Sequence, residues 1–317
     1  MKFISKLTPL ATAIAFAAAA PAMAAAPLAG TNAPGFFRIM LGDFEVTAIS
    51  DGTVDLPMNK LLQQAPAKTD QELARSYLAS PLETSVTGYL VNTGAKLVLI
   101  DTGAGNLFGP TLGKLLANLK ASGYQPEQVD EVLITHMHPD HVGGLAANGQ
   151  AAFPNAIVRA DKHDADFWLS QANMDKAPAE NKGFFQGAMA SLSPYMANQH
   201  LQPFNGAIEI TPGIRAVTSY GHTPGHISYM VESKGKKLLV VGDLIHAGAV
   251  QFEHPEVTIG FDSDPKTAAY ARKQAFTAVA KEGALIGAAH LPFPGLGHLR
   301  SAGQAYQWVP ANYTQLR

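Results

Sequence analysis

Thr135-His136-Met137-His138-Pro139-Asp140-His141 places three imidazoles and a carboxylate within six residues, directly behind the apolar run Val132-Leu133-Ile134. In an extended backbone the alternation His-x-His points two rings to the same side, and neutral imidazoles with a hard oxygen are donors for zinc-like ions. Four such groups packed this tightly repel one another on protonation and bury poorly alone. The stretch therefore reads as a metal-binding loop at the end of a buried strand.

Three more candidate donors lie downstream, each at the end of an apolar run and beside small residues that let backbones crowd together. They are His222 in Gly221-His222-Thr223-Pro224-Gly225-His226, Asp243 in Val241-Gly242-Asp243, and His290 in Ala288-Ala289-His290. Seven donors exceed what one tetrahedral ion takes, but they suit two ions sharing one carboxylate. Asp101, at a strand end before Thr102-Gly103, is placed to accept the free N–H of a ligand imidazole, and His226 is a second candidate for that work. His163, His200, His254 and His298 read as loop or surface residues.

Around these positions the pattern alternates strands and helices. Phe44 to Ile49 reads as a half-buried strand ending at the turn pair Asp51-Gly52, and a helix is expected near Gln71 to Leu78. Val86–Val91 and Lys96–Ile100 read as a hairpin across Asn92-Thr93-Gly94. Leu112, Leu115, Leu116 and Leu119 give a helix over Thr111 to Ser122, stopped by Gly123. A strand is expected at Ala156 to Ala160, then a helical region over 162–200 broken near Pro178. A second set of strands follows at Ile208–Thr211, Ile214–Ser219, Ile227–Val231 and Lys237–Val241. Asp264 caps a long helix from Pro265 to about Lys281, and Ala284–Ala289 is a last buried strand that delivers His290.

The chain opens with Lys2 and Lys6, an apolar segment from Leu7 to Ala20, then Ala22-Met23-Ala24, the three parts of a secretory signal. Residues 1–24 are accordingly expected to be a signal peptide and 25–36 an arm rich in Ala, Pro and Gly. Residues 37–317 are expected to form a single domain, secreted or periplasmic. Removing Lys2 and Lys6 from the 23 basic residues leaves 21 against 25 acidic ones, a formal charge of −4. That balance offers nothing to attract nucleic acid or an anionic membrane, so the expected partner is a small-molecule substrate. The chain has no cysteine, which excludes disulfides and thiolate ligands and leaves packing and metal to stabilise the fold.

The order His-x-His-x-Asp-His, then a later His, Asp and His, resembles the metallo-β-lactamase superfamily. The resemblance implies an α/β fold, a four-layer αββα sandwich with the metals at the strand ends. It implies that His136, His138 and His222 hold one divalent ion, that Asp140, His141 and His290 hold another, and that Asp243 bridges them. Zinc is the first expectation for both ions, with manganese, cobalt and ferrous iron as alternatives. A bridging water acidified by the pair would be the nucleophile, held between Asp140 and Asp243. The β-lactam-cleaving members lack this bridging carboxylate, which disfavours β-lactam hydrolysis, while glyoxalase-like, phosphodiesterase-like and lactonase-like branches keep it.

Leu41 to Glu45, Glu83 to Leu90 and Asp166 to Gln171 are similar to the methyl parathion hydrolase branch, whose members are secreted, dimeric and cleave organophosphates. That resemblance implies a substrate pocket with Phe108, Trp168 and Phe185 as its aromatic entrance. Leu61, His246, Ile259 and Phe261 depart from the branch, which has Arg, Leu, Thr and Leu there, and Ala179–Lys182 is one residue shorter. Bulkier His246 and Phe261 would narrow the pocket against a phosphotriester and still admit a planar aryl lactone such as dihydrocoumarin. Aryl lactones and activated aryl esters are thus the expected substrates, with weak phosphotriesterase activity. The alternatives are an organophosphate hydrolase, an N-acyl homoserine lactonase, and an iron-dependent redox member of the same fold.

Overall fold

The computed structural model describes residue 26 and residues 28–316. The expected signal peptide lies outside the described residues. Residues 34–316 cluster as one compact unit.

Two sheets carry the fold. The first is built from β1 (Phe36–Leu41), β2 (Phe44–Leu56), β3 (Leu82–Asn92), β4 (Leu97–Ile100) and β5 (Glu131–Leu133), with a small ribbon of β6 (Ala146–Ala147) and β7 (Gln150–Ala151) leading to its last strand, β8 (Ile157–Arg159). The strand order is β1-β2-β3-β4-β5-β8, antiparallel up to β4 and parallel from β4 to β8. The second sheet comprises β9 (Glu209–Thr211), β10 (Ile214–Thr218), β11 (Ile227–Ser233), β12 (Lys236–Val240), β13 (Leu285–Gly287), β14 (Leu296–Ala302) and β15 (Ala305–Pro310), in the order β15-β14-β13-β12-β11-β10-β9. Helices α3 (Leu115–Ala121), α4 (Pro139–Val142), α5 (Lys162–Trp168), α6 (Gln171–Lys176) and α7 (Lys182–Ala197) accompany the first sheet and α9 (Pro265–Glu282) the second, while α1 (Met58–Leu61), α2 (Pro66–Arg75) and α8 (Gly248–Gln251) pack together in a cluster of their own.

Side-chain alternation explains the layering. In β4, Val98 and Ile100 face the space between the sheets while Leu97 and Leu99 face α3 and α7. Leu238 and Val240 of β12 likewise point inward, while Leu239 packs outward with Phe276 and Val279 of α9. Strands covered on both faces must be apolar on both, and these runs are. The result is helices, sheet, sheet and helix in four layers, the expected αββα sandwich.

Several local readings change. Asp51-Gly52 is no turn: β2 runs through it with a shift of register between Ser50 and Gly52. The reason is the Asp51 carboxylate, buried and accepting the N–H groups of Ala104, Gly113 and Leu115 at 2.9 Å each. The same three bonds hold residues 104–115 as a loop, so the helix expected from Thr111 forms only from Leu115. The helix expected at Gln71–Leu78 starts earlier, with Pro66 in its first turn, and stops before Tyr77, whose φ is +58°. β1 takes Phe36 from the expected arm, and the hairpin β14–β15 closes the second sheet beyond His290 where no element was expected.

Arg272, fully buried on α9, ties down the segment between β12 and α9. It donates to the carbonyls of Pro255 (2.9 Å), Val257 (2.8 Å) and Leu244. Within that segment Gln251 accepts the N–H groups of His246 and Ala247. Replacing Arg272 by methionine leaves the buried Leu244 and Pro255 carbonyls without donors, each costing about 1–3 kcal/mol, while Val257 keeps the Gln251 amide at 3.0 Å. A denaturant titration is expected to show a loss of about 2 kcal/mol or more; a loss below about 1 kcal/mol would mean water replaces the guanidinium.

Candidate metal centre

The chain leaves β5 still extended and passes through Ile134 and Thr135, so His136 and His138 emerge on one side. Pro139 has no N–H to lose and opens α4 at its first position, and the single helical turn that follows swings Asp140 and His141 to the same locus. His222 comes from the β10–β11 connection, Asp243 from the end of β12, and His290 from the end of β13. All seven are gathered where the strand ends of the two sheets meet. His136, His138, His222 and Asp243 form one group whose ligand atoms lie within 4.8 Å of one another, and Asp140, His141 and His290 form another.

Asp243 stands between the groups and turns one oxygen to each. Its Oδ2 lies 3.5 Å from His136 Nε2 and 3.2 Å from His222 Nε2, while Oδ1 lies 3.0 Å from His141 Nε2 and 3.1 Å from His290 Nε2. Asp140 Oδ2 is 3.5 Å from His290 Nε2. His138 faces the centre through Nδ1, 3.1 Å from His222 Nε2. The approaches of His136 Nε2, His141 Nε2 and Asp243 Oδ1 lack hydrogen-bond geometry, and these buried atoms have no partner. Three buried atoms that converge without bonding are arranged around a shared centre, and the full set of five imidazoles and two carboxylates fits two divalent cations.

The far side of four of the five rings is held by the protein. Asp101 accepts His141 Nδ1 at 2.8 Å and is itself fixed by Thr135 N–H (2.8 Å) and Thr135 Oγ1 (2.7 Å). Its φ of +60° is a left-handed backbone that aspartate tolerates at a cost, here bringing the carboxylate under the ligand loop. Asp262 holds His222 Nδ1 at 2.8 Å, the Ser85 carbonyl holds His290 Nδ1 at 2.9 Å, and Thr135 Oγ1 lies 3.1 Å from His136 Nδ1. Asp262 and Ser85 were not anticipated, because neither sits beside a ligand in the chain and Asp262 reads as part of the cap before α9. His226 has a different task from the one expected. Its Nε2 accepts the backbone N–H of Asp243 at 3.0 Å and its Nδ1 faces Ser219, so it seats the bridging residue rather than a ligand ring.

The metal-free electrostatics are lopsided. Burial, then the neighbouring His141, hold His136 well below its usual value, and burial with His222 does the same to His138. Desolvation opposes charge on His222 as well, but Asp243 and Asp262 overcome it and raise the group to about 9. Replacing Asp101 by asparagine removes an acceptor from this frame and is expected to weaken one of the two metals about 10- to 100-fold, read by chelator competition. Unchanged competition curves would remove Asp101 from the metal frame.

Beside His138 opens a cavity of about 380 Å³ lined by Phe167, Trp168, Phe184, Phe185, Phe261 and Asp262 among others. Trp168 and Phe184 meet the His138 ring edge-on at 5.2 and 5.0 Å. Trp168, Phe185 and Phe261 thus line the cavity as expected, and Phe184 and Phe167 complete a wall whose helical neighbours in α5 and α7 read as core. Phe108, Leu61 and Ile259 do not line it. Phe108 is 41% exposed on the glycine-rich 101–114 loop, and Ile259 packs with Met58, Leu62 and Leu73 in a separate apolar cluster that Leu61 flanks. His246 turns inward, its Nε2 3.1 Å from Asp243 Oδ2 and its ring stacked on His290 at 5.0 Å. His163 pairs with Asp161 and His254 with Glu72 and Glu256, away from the centre.

Comparison with known proteins agrees with this geometry. Residues 82–290 match the Metallo-beta-lactamase superfamily. An N-acyl homoserine lactonase of Bacillus cereus is 25% identical over 202 residues, 58% of this chain and 72% of that protein. The hydrolase AbOPH, in the beta lactamase superfamily, superposes with a TM-score of 0.86 at 40% identity, covering 90% of this chain and 100% of that one. AidC, a dizinc quorum-quenching lactonase solved with a product, superposes with a TM-score of 0.81 at 26% identity over 89% and 99% of the two chains. With the fold, the seven converging donors and the match from β3 to His290 in agreement, the chain belongs to the metallo-beta-lactamase superfamily and is a metal-dependent hydrolase of that fold.

Proposed function

We propose that this protein is a binuclear zinc lactonase that acts best on aryl lactones and activated aryl esters, exported by its leader and paired as a homodimer. The observation that carries the reading is the cavity opening directly onto His138, walled by aromatic side chains on which an aryl ring packs. When bound, two divalent cations acidify a shared water and polarise the carbonyl under attack. The chain's own residues do the rest. Asp243 and Asp140 hold the centre between the two histidine groups, and Trp168, Phe184, Phe185 and Phe261 offer faces and edges on which an aryl ring packs. A phenolic leaving group departs with little help from a general acid.

The relatives named as N-acyl homoserine lactonases, and AidC with its product, support the lactone bond as the target and favour a second reading with a flexible acyl amide in place of the ring. Resemblance to the organophosphate-cleaving branch supports a weak phosphotriesterase side activity. The test is one panel on the metal-loaded protein: dihydrocoumarin, an N-acyl homoserine lactone and methyl parathion. The expected order of kcat/KM is dihydrocoumarin first and methyl parathion last. Methyl parathion equal to or above dihydrocoumarin would overturn the proposal, and a homoserine lactone in first place would hand the site to the second reading.

A further inference from the structure

Asp164 has no part in the chemistry described so far, yet it is a wholly buried carboxylate at the start of α5. Its Oδ2 accepts the N–H of Met137 at 2.8 Å and its Oδ1 the N–H of Gly225 at 2.6 Å. Met137 is the residue between His136 and His138, and Gly225 lies in the turn that carries His222. One carboxylate therefore spans the two chain segments that bring the His136, His138 and His222 group together. The packing leaves no slack: a Cβ on Gly225 would run into the Asp164 backbone N, so the turn rests directly on α5. Trp168, one helical turn further along α5, meets the His138 ring at 5.2 Å. Taking a carboxylate out of water is costly, and burial pushes this one up to about 6 in spite of its bonds. A neutral side chain would fill the space without that cost, which points to a task other than stability.

We propose that Asp164 is a positioning residue that sets the separation between the His136/His138 loop and the His222 turn, and so the affinity and geometry of one of the two metals. The clamp acts through charge-assisted bonds to two backbone amides, which fix main chain rather than rings. It is distinct from Asp101 and Asp262, each of which orients a single imidazole. The inference rests on the metal centre and is independent of which lactone or ester is the substrate.

The test is Asp164→Asn on the full chain, with Asp161→Asn as control. Asp161 is equally buried at the same helix start, but it caps α5, pairs with His163 and accepts the Gly206 N–H; it reaches the His222 turn only through the Tyr220 hydroxyl and bonds no main-chain amide of either ligand segment. Each protein is loaded with cobalt and dialysed against graded chelator, metal content is measured, and anomalous scattering from crystals assigns the ion lost. Asp164→Asn is expected to weaken the ion at His136, His138 and His222 about 10- to 100-fold, shift the cobalt absorption bands, and leave the other ion within threefold of the parent. Asp161→Asn should leave both ions and the bands as in the parent. The proposal is overturned if Asp164→Asn holds both ions as the parent does, if both weaken together, or if Asp161→Asn gives the same selective loss. Should Asp164→Asn not fold, Asp164→Ser, which keeps one acceptor and removes the charge, is read by the same criteria.

Discussion

Asp243→Ala is expected to lower kcat/KM for a lactone on the order of 10³-fold or more and to reduce the bound metal from two ions to one or none. Asp243 is the residue whose two oxygens face opposite histidine groups, with His222 and His136 on one side and His141 and His290 on the other. Lewis-acid and nucleophile generation by a metal pair are together worth several kcal/mol, and each 1.36 kcal/mol is a factor of ten. Removing the bridge also strips His246 of its Nε2 partner and leaves the His136, His138 and His222 group with no carboxylate among its ligand atoms. Metal content by mass spectrometry and steady-state kinetics on one lactone check the expectation. A variant that keeps two ions and more than a tenth of the activity would show that the bridge is dispensable.

Chelation is the second large effect. Stripping the metals is expected to abolish hydrolysis and to lower the melting temperature, because the cations bind the folded arrangement and the unfolded chain has no such site. Free metal at about 100 times its dissociation constant stabilises by about 2.7 kcal/mol, which in a chain of this size is roughly 5 °C. The gap should also depend on pH. In the metal-free chain His222 is raised from 6.5 to about 9, desolvation being outweighed by Asp243 and Asp262. A raised imidazole contributes stability that is complete below 6.5 and is lost as pH climbs through about 9. The metal-free protein therefore weakens across that window, where the loaded protein has no such proton to lose. Melting curves at pH 6.5 and 9 should show the difference between loaded and chelated protein widening with pH. Equal melting with and without chelator at both values, or full activity in excess chelator, would sink the metal assignment.

Much of the centre was legible because metal donors are chemically conspicuous and short-range order placed them. His136 to His141 sit on a strand end followed by a proline-started helical turn, both readable from neighbours in the chain. His222, Asp243 and His290 could be picked out because each closes an apolar run beside small residues. The layered fold was legible for a related reason: runs such as Leu97 to Ile100 are apolar on both faces, so each sheet must be covered twice. Asp51-Gly52 misled because a bulge and a turn share residue types, and only the amides of Ala104, Gly113 and Leu115 distinguish them.

The supports of the site belong to tertiary structure. Asp262 reaches His222 across 40 positions and Ser85 reaches His290 across 205, and nothing local in the chain marks either pairing. Asp164 joins two loops that meet only because the sheets pack face to face. The wall of the cavity beside His138 differs from the expected substrate wall for the same reason: Ile259, Leu61 and Phe108 do not line it and Phe184 does, since an apolar residue goes to whichever cluster or surface the packing offers. Residue chemistry alone thus named the seven donors and the two-ion centre, because ligand type is a property of the side chain. Which rings are held, and by what, is a property of distance, and distance is settled only when the two sheets close on each other.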